Sequence, residues 1–225
     1  MCIPKGQLCD PDLPLRIHVT KYVLPVLLNF KKVCLRTSAA PRDVGSKYEP
    51  HRNPLVSIDG EPTSLAPYAD KVKLIVNVAS RCGLSPQYEK LEKLQQTYGD
   101  RGFTVLGFPS NQFLQELSSS AAIKKFCSTT YGVTFPMFEK IRVNGRSQHP
   151  LYAELTKAPD AAGKAGRVKW NFEKFVVTTA GEVHRFRPQV EPDAPEILHL
   201  IESCLGHPTQ ERPDGPSTAQ DTSSR

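Results

Sequence analysis

Between Val72 and Ala79 the chain reads VKLIVNVA, a near-continuous β-prone run interrupted only by a lysine and an asparagine. A strand with one face in water alternates polar and apolar residues. A run like this one fits a strand covered on both faces, inside a sheet flanked by helices. The period then changes abruptly: Tyr88, Leu91, Leu94 and Tyr98 recur at helical spacing, and Glu89 and Lys93 stand four residues apart. Ser85 and Pro86 suit the start of that helix, and Gly99 lies at its end. The junction NVASRCGLSPQY (Asn77 to Tyr88) holds one sulfur, Cys82, with Ser85 where a CxxC motif would carry a second.

The same reading extends along the chain. NPLVSIDGEPTSLAPYAD (Asn53 to Asp70) predicts a hairpin around its Asp-Gly turn. FTVLGF (Phe103 to Phe108) predicts a second buried strand, SSSAAIKKFCSTTY (Ser118 to Tyr131) a helix opened by serine, and MFEKIRV (Met137 to Val143) a third strand before an Asn-Gly turn. KFVVTTAGEVHRF (Lys174 to Phe186) reads as strand, turn and strand. A last helix is expected from about Ala194, with Asp193 and Glu196 arranged as a capping box and Ile197, Leu198, Ile201, Cys204 and Leu205 on its apolar face. Parallel crossovers early and a hairpin late predict an α/β domain with a thioredoxin-like fold, a central mixed β-sheet flanked by helices.

Charge divides the 225 residues unevenly. Residues 1–47 carry eight Lys and Arg against three Asp and Glu, a local +5 of the chain's +6, whereas residues 48–206 have 19 basic and 17 acidic side chains. The domain is therefore expected over 48–206, behind a basic extension and before a polar tail (207–225) too poor in apolar residues to order itself. The extension's longest apolar run, YVLPVLLNF (Tyr22 to Phe30), is too short for a bilayer, which takes roughly 20 residues. No small-residue cleavage pattern follows it. A transit peptide, a surface-lying segment and a start codon placed too far upstream fit these residues equally. A cytoplasmic location is expected, or a mitochondrial or other organellar one if residues 1–47 are a transit peptide. Basic and aromatic residues are not interleaved as in nucleic-acid readers, so no nucleic-acid partner is expected. The six cysteines (2, 9, 34, 82, 127 and 204) contain no CxxC, which argues against zinc and for a reduced intracellular protein.

A sulfur where a strand's carboxyl end meets a helix faces free amide groups and the positive end of the helix dipole. A free thiol has a pKa near ~8.5, so only about 3% is thiolate at pH 7. Lowering that value by about two units takes roughly 2.7 kcal/mol. A helix end supplies about 0.3–1 kcal/mol, occasionally ~2. Further donors, each worth on the order of 1.5–3 kcal/mol against a charged acceptor, are needed. From the cysteine alone, a small hydrophobe buried in a turn fits as well as a nucleophile.

Five stretches then occur together: NVASRCGLSPQY, LGFPSNQF (Leu106 to Phe113), YGVTFPMFEKI (Tyr131 to Ile141), HPLY (His149 to Tyr152) and WNFEKFVV (Trp170 to Val177). In order and near-spacing they resemble the motif series of the glutathione peroxidase family, over roughly residues 53–205. The resemblance implies a thioredoxin-like fold and reduction of hydroperoxides by a cysteine or selenocysteine, here Cys82. It implies no cofactor and no metal, with thioredoxin or glutathione as the reducing co-substrate. The family pairs its sulfur with Gln, Trp and Asn. The matches are Trp170, Asn171 and, in a loop one residue shorter than usual, Gln115, with Gln112 as fallback. The alternative for Trp170 is core filling.

Non-selenium relatives of the resembled family place a resolving cysteine on the helix after the QE motif, where Cys127 lies. Plant-type members align theirs with Ser128, whereas FCSTTYGVTFP matches a common bacterial form. A structural role stays open, because Cys127 follows Ile123 by four residues on the side of the helix expected to be buried. Bridging to Cys82 would need local unwinding to bring the Cα atoms within ~7 Å. The family's FPCNQF cysteine is Ser110 here, Cys204 is expected in the core, and Cys2, Cys9 and Cys34 lie outside the matched region. The short connection from Leu155 to Lys169 resembles that of monomeric members. Lys164, Arg167 and Lys169, with Lys174, form a cationic group flanking WNF, either a site for glutathione carboxylates or lipid headgroups or simply a solvated face. The function implied is a monomeric thiol peroxidase. A peroxide sensor relaying a disulfide to a partner protein and an inactive binding module are the alternatives.

Overall fold

The computed structural model describes residues 54–206. The expected basic extension, the polar tail and Cys2, Cys9 and Cys34 lie outside the described residues. Two short strands, β1 (Leu55–Val56) and β2 (Pro62–Thr63), pair antiparallel across the expected Asp59-Gly60 turn. Gly60 takes the left-handed backbone (φ +87°) that the turn requires.

The apolar run becomes β3 (Val72–Val78), buried along its whole length. It leads into helix α1 (Gln87–Tyr98) and then into β4 (Phe103–Pro109), which pairs with β3 in parallel from Val72 opposite Phe103 to Val78 opposite Pro109. Helix α2 (Ser120–Tyr131) is opened by Ser119, whose hydroxyl accepts from the Ala122 amide at 3.2 Å. After α3 (Pro150–Leu155), β5 (Lys174–Val177) runs antiparallel to β3 on its other edge and pairs with β6 (Val183–Phe186). Helix α4 (Pro195–Leu205) follows. The sheet order is β4-β3-β5-β6, a mixed sheet with β3 inside it.

Strand alternation sorts the core into two layers. Val72, Leu74, Val76 and Val78 face one way and pack with Tyr88, Leu91, Ile123, Cys127, Ile197 and Ile201 of α1, α2 and α4. Ile75 faces the other way, with Leu106, Phe108 and Phe175, against Leu151, Tyr152 and Leu155 of α3.

Two local expectations are corrected. MFEKIRV does not form a regular strand: Met137 bridges to Gly107 and Phe138 to Ser57. The Phe138 amide donates to Gly107 O, and the Glu139 amide to Val56 O on the other side. Its hydrogen bonds are divided between β4 and the β1 hairpin, so no continuous ladder forms. The capping box is absent: α4 starts after Ala194 without a side-chain cap, and Asp193 instead accepts from Lys90 Nζ at 2.9 Å. Pro195 at the first turn has no amide to satisfy, which lessens the need for a cap. Gly99 follows the last residue of α1, as expected; it keeps a helical backbone, and the chain reverses at Gly102 (φ +89°) after one further 3-10 turn. Helix α3 was not anticipated; its sequence signal is His149-Pro150, with His149 Nδ1 accepting from the Leu151 amide at 3.2 Å.

Beside β5 a buried ion cluster closes the far edge of the fold. Glu173 and Arg185 have fully buried side chains, 2.5 Å apart, and Arg187 joins Glu173 at 2.7 Å. Arg185 also donates to the carbonyls of Thr156, Ala158 and Arg167, tying the connection after α3 to the sheet. Replacing Glu173 with leucine would strand the Arg185 charge. Equilibrium urea denaturation of Glu173→Leu should show a loss of about 3–5 kcal/mol. A loss below about 1 kcal/mol, the scale of an exposed pair, would show that the cluster contributes little.

Candidate active site

Cys82 lies in the turn between β3 and α1, 4% exposed, among the residues of the α1–α2–α4 layer. The chain winds into α1 through successive tight turns: the Ser85 amide donates to Cys82 O at 2.9 Å and the Gln87 amide to Leu84 O at 3.0 Å. This winding turns the Leu84 amide onto the Cys82 sulfur at 3.4 Å. The sulfur therefore meets a backbone donor at the entrance to a helix, the environment anticipated for an anion.

The shortened loop after β4 still delivers Gln115. Its carbonyl accepts from the amide of Arg81, the residue before Cys82, at 2.9 Å. The loop turns at Leu114, which adopts φ +59° and is 87% exposed. Gln115 Oε1 accepts from Asn171 Nδ2 at 2.9 Å, so two of the three expected side chains are in direct contact. Asn171 is fully buried, and its Oδ1 has no partner. Gln112, the fallback, is used elsewhere: its Oε1 accepts from the Val143 and Asn144 amides and its Nε2 donates to Asn144 O.

Trp170 is not a core residue. It is 40% exposed, and its ring packs on Phe113 with centroids 5.1 Å apart. Among the described residues the hydrogen bond to the Cys82 sulfur comes from the Leu84 amide, and none comes from Gln115, Trp170 or Asn171. The side-chain amides are gathered beside the sulfur's turn without being committed to the sulfur.

Glu116 was missed by the sequence reading, although it sits in the QE pair that located Gln115. Its Oε1 accepts from the Ser80 amide at 3.1 Å and the Leu117 amide at 2.6 Å, while its own amide donates to Asn111 Oδ1. Burial raises its pKa, against the hydrogen bonds from Ser80 and Leu117. It stitches the Gln115 loop to the Cys82 turn. Ser110, standing where relatives have cysteine, is buried, with its amide on Val78 O.

Cys127 lies within α2, 1% exposed, in the same core layer as Cys82, and both thiols are free. Burial pushes its thiol up to about 11, and contact with the Tyr88 hydroxyl offsets part of that rise. That hydroxyl is buried and has no oxygen or nitrogen partner. Cys204, expected in the core, is only partly buried on α4, packed against the same layer.

Lys164, Arg167 and Lys169 are exposed on the connection that leads into WNF. Lys174 does not join them. It is fully buried, with Nζ on Gln87 Oε1 at 2.9 Å, Phe172 O at 2.5 Å and Pro188 O at 3.3 Å. The sequence gives no sign of this, because Lys174 occupies an inward position of a strand whose other neighbours are apolar. No group of three or more metal-binding side chains occurs among the described residues. No helix among them is long and apolar enough to cross a membrane.

The glutathione peroxidase family model matches residues 51–156. The chain is 49% identical over 169 residues to the thioredoxin/glutathione peroxidase BtuE of Escherichia coli, covering 66% of this chain and 92% of that protein. It is 51% identical over 156 residues to the hydroperoxy fatty acid reductase gpx1 of Synechocystis, covering 66% and 91% respectively. Among solved structures, Trgpx in its apo form superposes with a TM-score of 0.54 at 37% identity, covering 68% of this chain and 92% of that one. A thioredoxin-like fold, a buried thiol at the mouth of α1 and relatives matched over nine-tenths of their length lead to one conclusion: the chain belongs to the glutathione peroxidase family and is a peroxidase acting on hydroperoxides.

Proposed function

We propose that Cys82 is the nucleophile of a thiol peroxidase and that Gln115, Asn171 and Trp170 serve the reacting oxygens. The observation that carries this reading is the contact between Gln115 and Asn171, held beside the Cys82 turn by the Arg81 amide. The Cys82 thiolate attacks the terminal oxygen of the hydroperoxide. An S–O bond forms, the O–O bond breaks, and the departing oxygen takes a proton to leave as alcohol or water. Asn171 Oδ1, buried and unpartnered, is free to accept the hydroperoxide O–H. The amide hydrogens of Gln115 and the indole N–H of Trp170 are of the type that stabilises charge on the leaving oxygen.

The sulfenic acid must then be reduced before further oxidation makes it inert. We assign this step to Cys127, followed by thioredoxin, in preference to direct attack by glutathione. The E. coli relative's name couples both reductants. Cys127 in its helix is a poor nucleophile, because burial holds it as a thiol up to about 11. Resolution therefore includes an opening of α2 that brings Cys127 to Cys82 and into water. Fatty-acid hydroperoxides join hydrogen peroxide as proposed substrates, following the name of the Synechocystis relative. Exposed Lys164, Arg167 and Lys169 are proposed to attract anionic substrate or reductant, and the short connection that carries them supports a monomer.

The experiment is peroxide consumption with thioredoxin or glutathione as sole donor. Cys82→Ser should lose all turnover. Cys127→Ser should lose thioredoxin-driven turnover while one stoichiometric oxidation of Cys82 survives; full thioredoxin activity in that variant would remove Cys127 from the mechanism. A stable mixed disulfide with one protein, in place of multiple turnovers, would favour the sensor.

Gln115→Ala should slow the oxidation of Cys82 by about 10- to 100-fold, the loss of one hydrogen bond to a charged group. Stopped-flow oxidation measures this, and a parent-like rate would take Gln115 out of the site.

The raised Cys127 thiol also has a pH signature. With a value of about 11, roughly one part in a thousand is thiolate at pH 8. Iodoacetamide on the native reduced protein should therefore spare Cys127 at pH 8 and label it as the pH approaches that value or once the chain is unfolded. Peptide mass mapping reads the result.

A further inference from the structure

The WNF segment is held in an uncommon way. Phe172 adopts φ +63°, a left-handed backbone that disfavours any residue with a β-carbon. Two fully buried polar side chains on neighbouring strands surround it, and the mechanism above uses neither of them.

The first is Asn77 of β3. Its Nδ2 donates to Trp170 O at 3.0 Å, and its Oδ1 accepts from the Glu173 amide at 3.2 Å. Its backbone carbonyl accepts from the Phe172 amide at 2.6 Å, and its backbone amide donates to Glu173 O at 3.4 Å. The second is Lys174 of β5, whose Nζ holds Phe172 O and, at the same time, Gln87 Oε1 at the first turn of α1. Gln87 Nε2 in turn donates to Pro188 O at 3.0 Å. Trp170, Phe172 and Glu173 are thus each tied by their backbones, while the Asn171 side chain reaches out to Gln115. Asn77 precedes Cys82 by five residues on the strand that delivers the sulfur, and Gln87 follows it by five on the helix that receives it.

We propose that Asn77 and Lys174 are positioning residues for peroxide reduction, acting as a two-point clamp that keeps Asn171 on Gln115 beside the Cys82 turn. The proposal rests on the reading of Asn171 and Gln115 as active-site groups. A buried ammonium is not needed to stabilise a core, where an apolar side chain of similar volume does as well. Burial pushes Lys174 down to about 7 against the opposing pull of Glu191 and Glu173. What this side chain adds over an apolar one is its bonds, and they join the WNF turn to the start of α1.

Trp170 is the single tryptophan of the chain and packs beside the site, so its fluorescence can follow oxidation of the reduced protein by hydrogen peroxide in a stopped-flow instrument. The variants are Asn77→Leu, Lys174→Met, Asn171→Ala and the double variant Asn77→Leu/Asn171→Ala, with circular dichroism to verify the fold. Asn77→Leu and Lys174→Met should each slow oxidation at least about tenfold, the scale of a displaced catalytic group. Re-reduction of the oxidised protein by dithiothreitol should keep the parent rate. The double variant should oxidise no more slowly than Asn171→Ala, because the clamp acts through Asn171. Lys174→Met decides the matter if Asn77→Leu fails to fold. Parent-like oxidation in the folded clamp variants, or rate losses that multiply in the double variant, would overturn the clamp while leaving the active-site reading intact. A parent-like rate in Asn171→Ala would overturn that reading and the clamp together.

Discussion

Strand β3 is hydrogen-bonded along both edges and covered on both faces, and every part of the site takes its position from it. Parallel pairing with β4 puts the two strands' carboxyl ends side by side, so that the Cys82 turn and the Gln115 loop emerge together. The Arg81-to-Gln115 backbone bond and the Glu116 carboxylate on the Ser80 amide then lock one to the other. Antiparallel pairing with β5 does the converse: the amino end of β5 lies near the carboxyl end of β3, which sets Trp170 and Asn171 against the same place. One central strand with one neighbour of each sense gathers residues from three distant parts of the chain.

The chemistry inherits a division of labour from this geometry. The Leu84 backbone amide at the entrance to α1 serves the resting sulfur, while side-chain amides from the other two segments are held nearby, bonded to each other. Side chains already bonded to one another lose little freedom when substrate arrives, which is how a preorganised site lowers a barrier. Cys127 is placed on the opposite principle. The helix and the Tyr88 ring shield it, and burial keeps the thiol protonated. In the proposed cycle, a resolving thiol kept buried and protonated would not compete with Cys82 for peroxide, which would separate the two half-reactions in time.

The shortened loop illustrates how a missing residue is accommodated. Leu114 turns the chain in a left-handed conformation, fully in water, and Gln115 still reaches Asn171. The strain falls on an exposed loop residue, where no packing is lost.

Periodicity made much of the fold legible. The doubly covered strands β3 and β4, the helices α1, α2 and α4, and the late hairpin all follow from the spacing of apolar residues, because burial on one face or two leaves a pattern along the chain itself. MFEKIRV escaped that logic: its pattern is strand-like, but its hydrogen-bond partners are divided between two different elements. The motifs located Cys82, Trp170, Asn171 and the candidate Cys127. Three things were decided by tertiary structure alone. Gln115, and not Gln112, stands beside Asn171, since which glutamine is free depends on which one the Asn144 turn has already engaged. Lys174 turned from a surface cation into a buried tether, and Asn77 from a polar break in a strand into the hinge-pin of the WNF turn. A side chain's type is written in the sequence, but its partners come from segments nearly a hundred residues away, and only the folded sheet brings them within bonding distance.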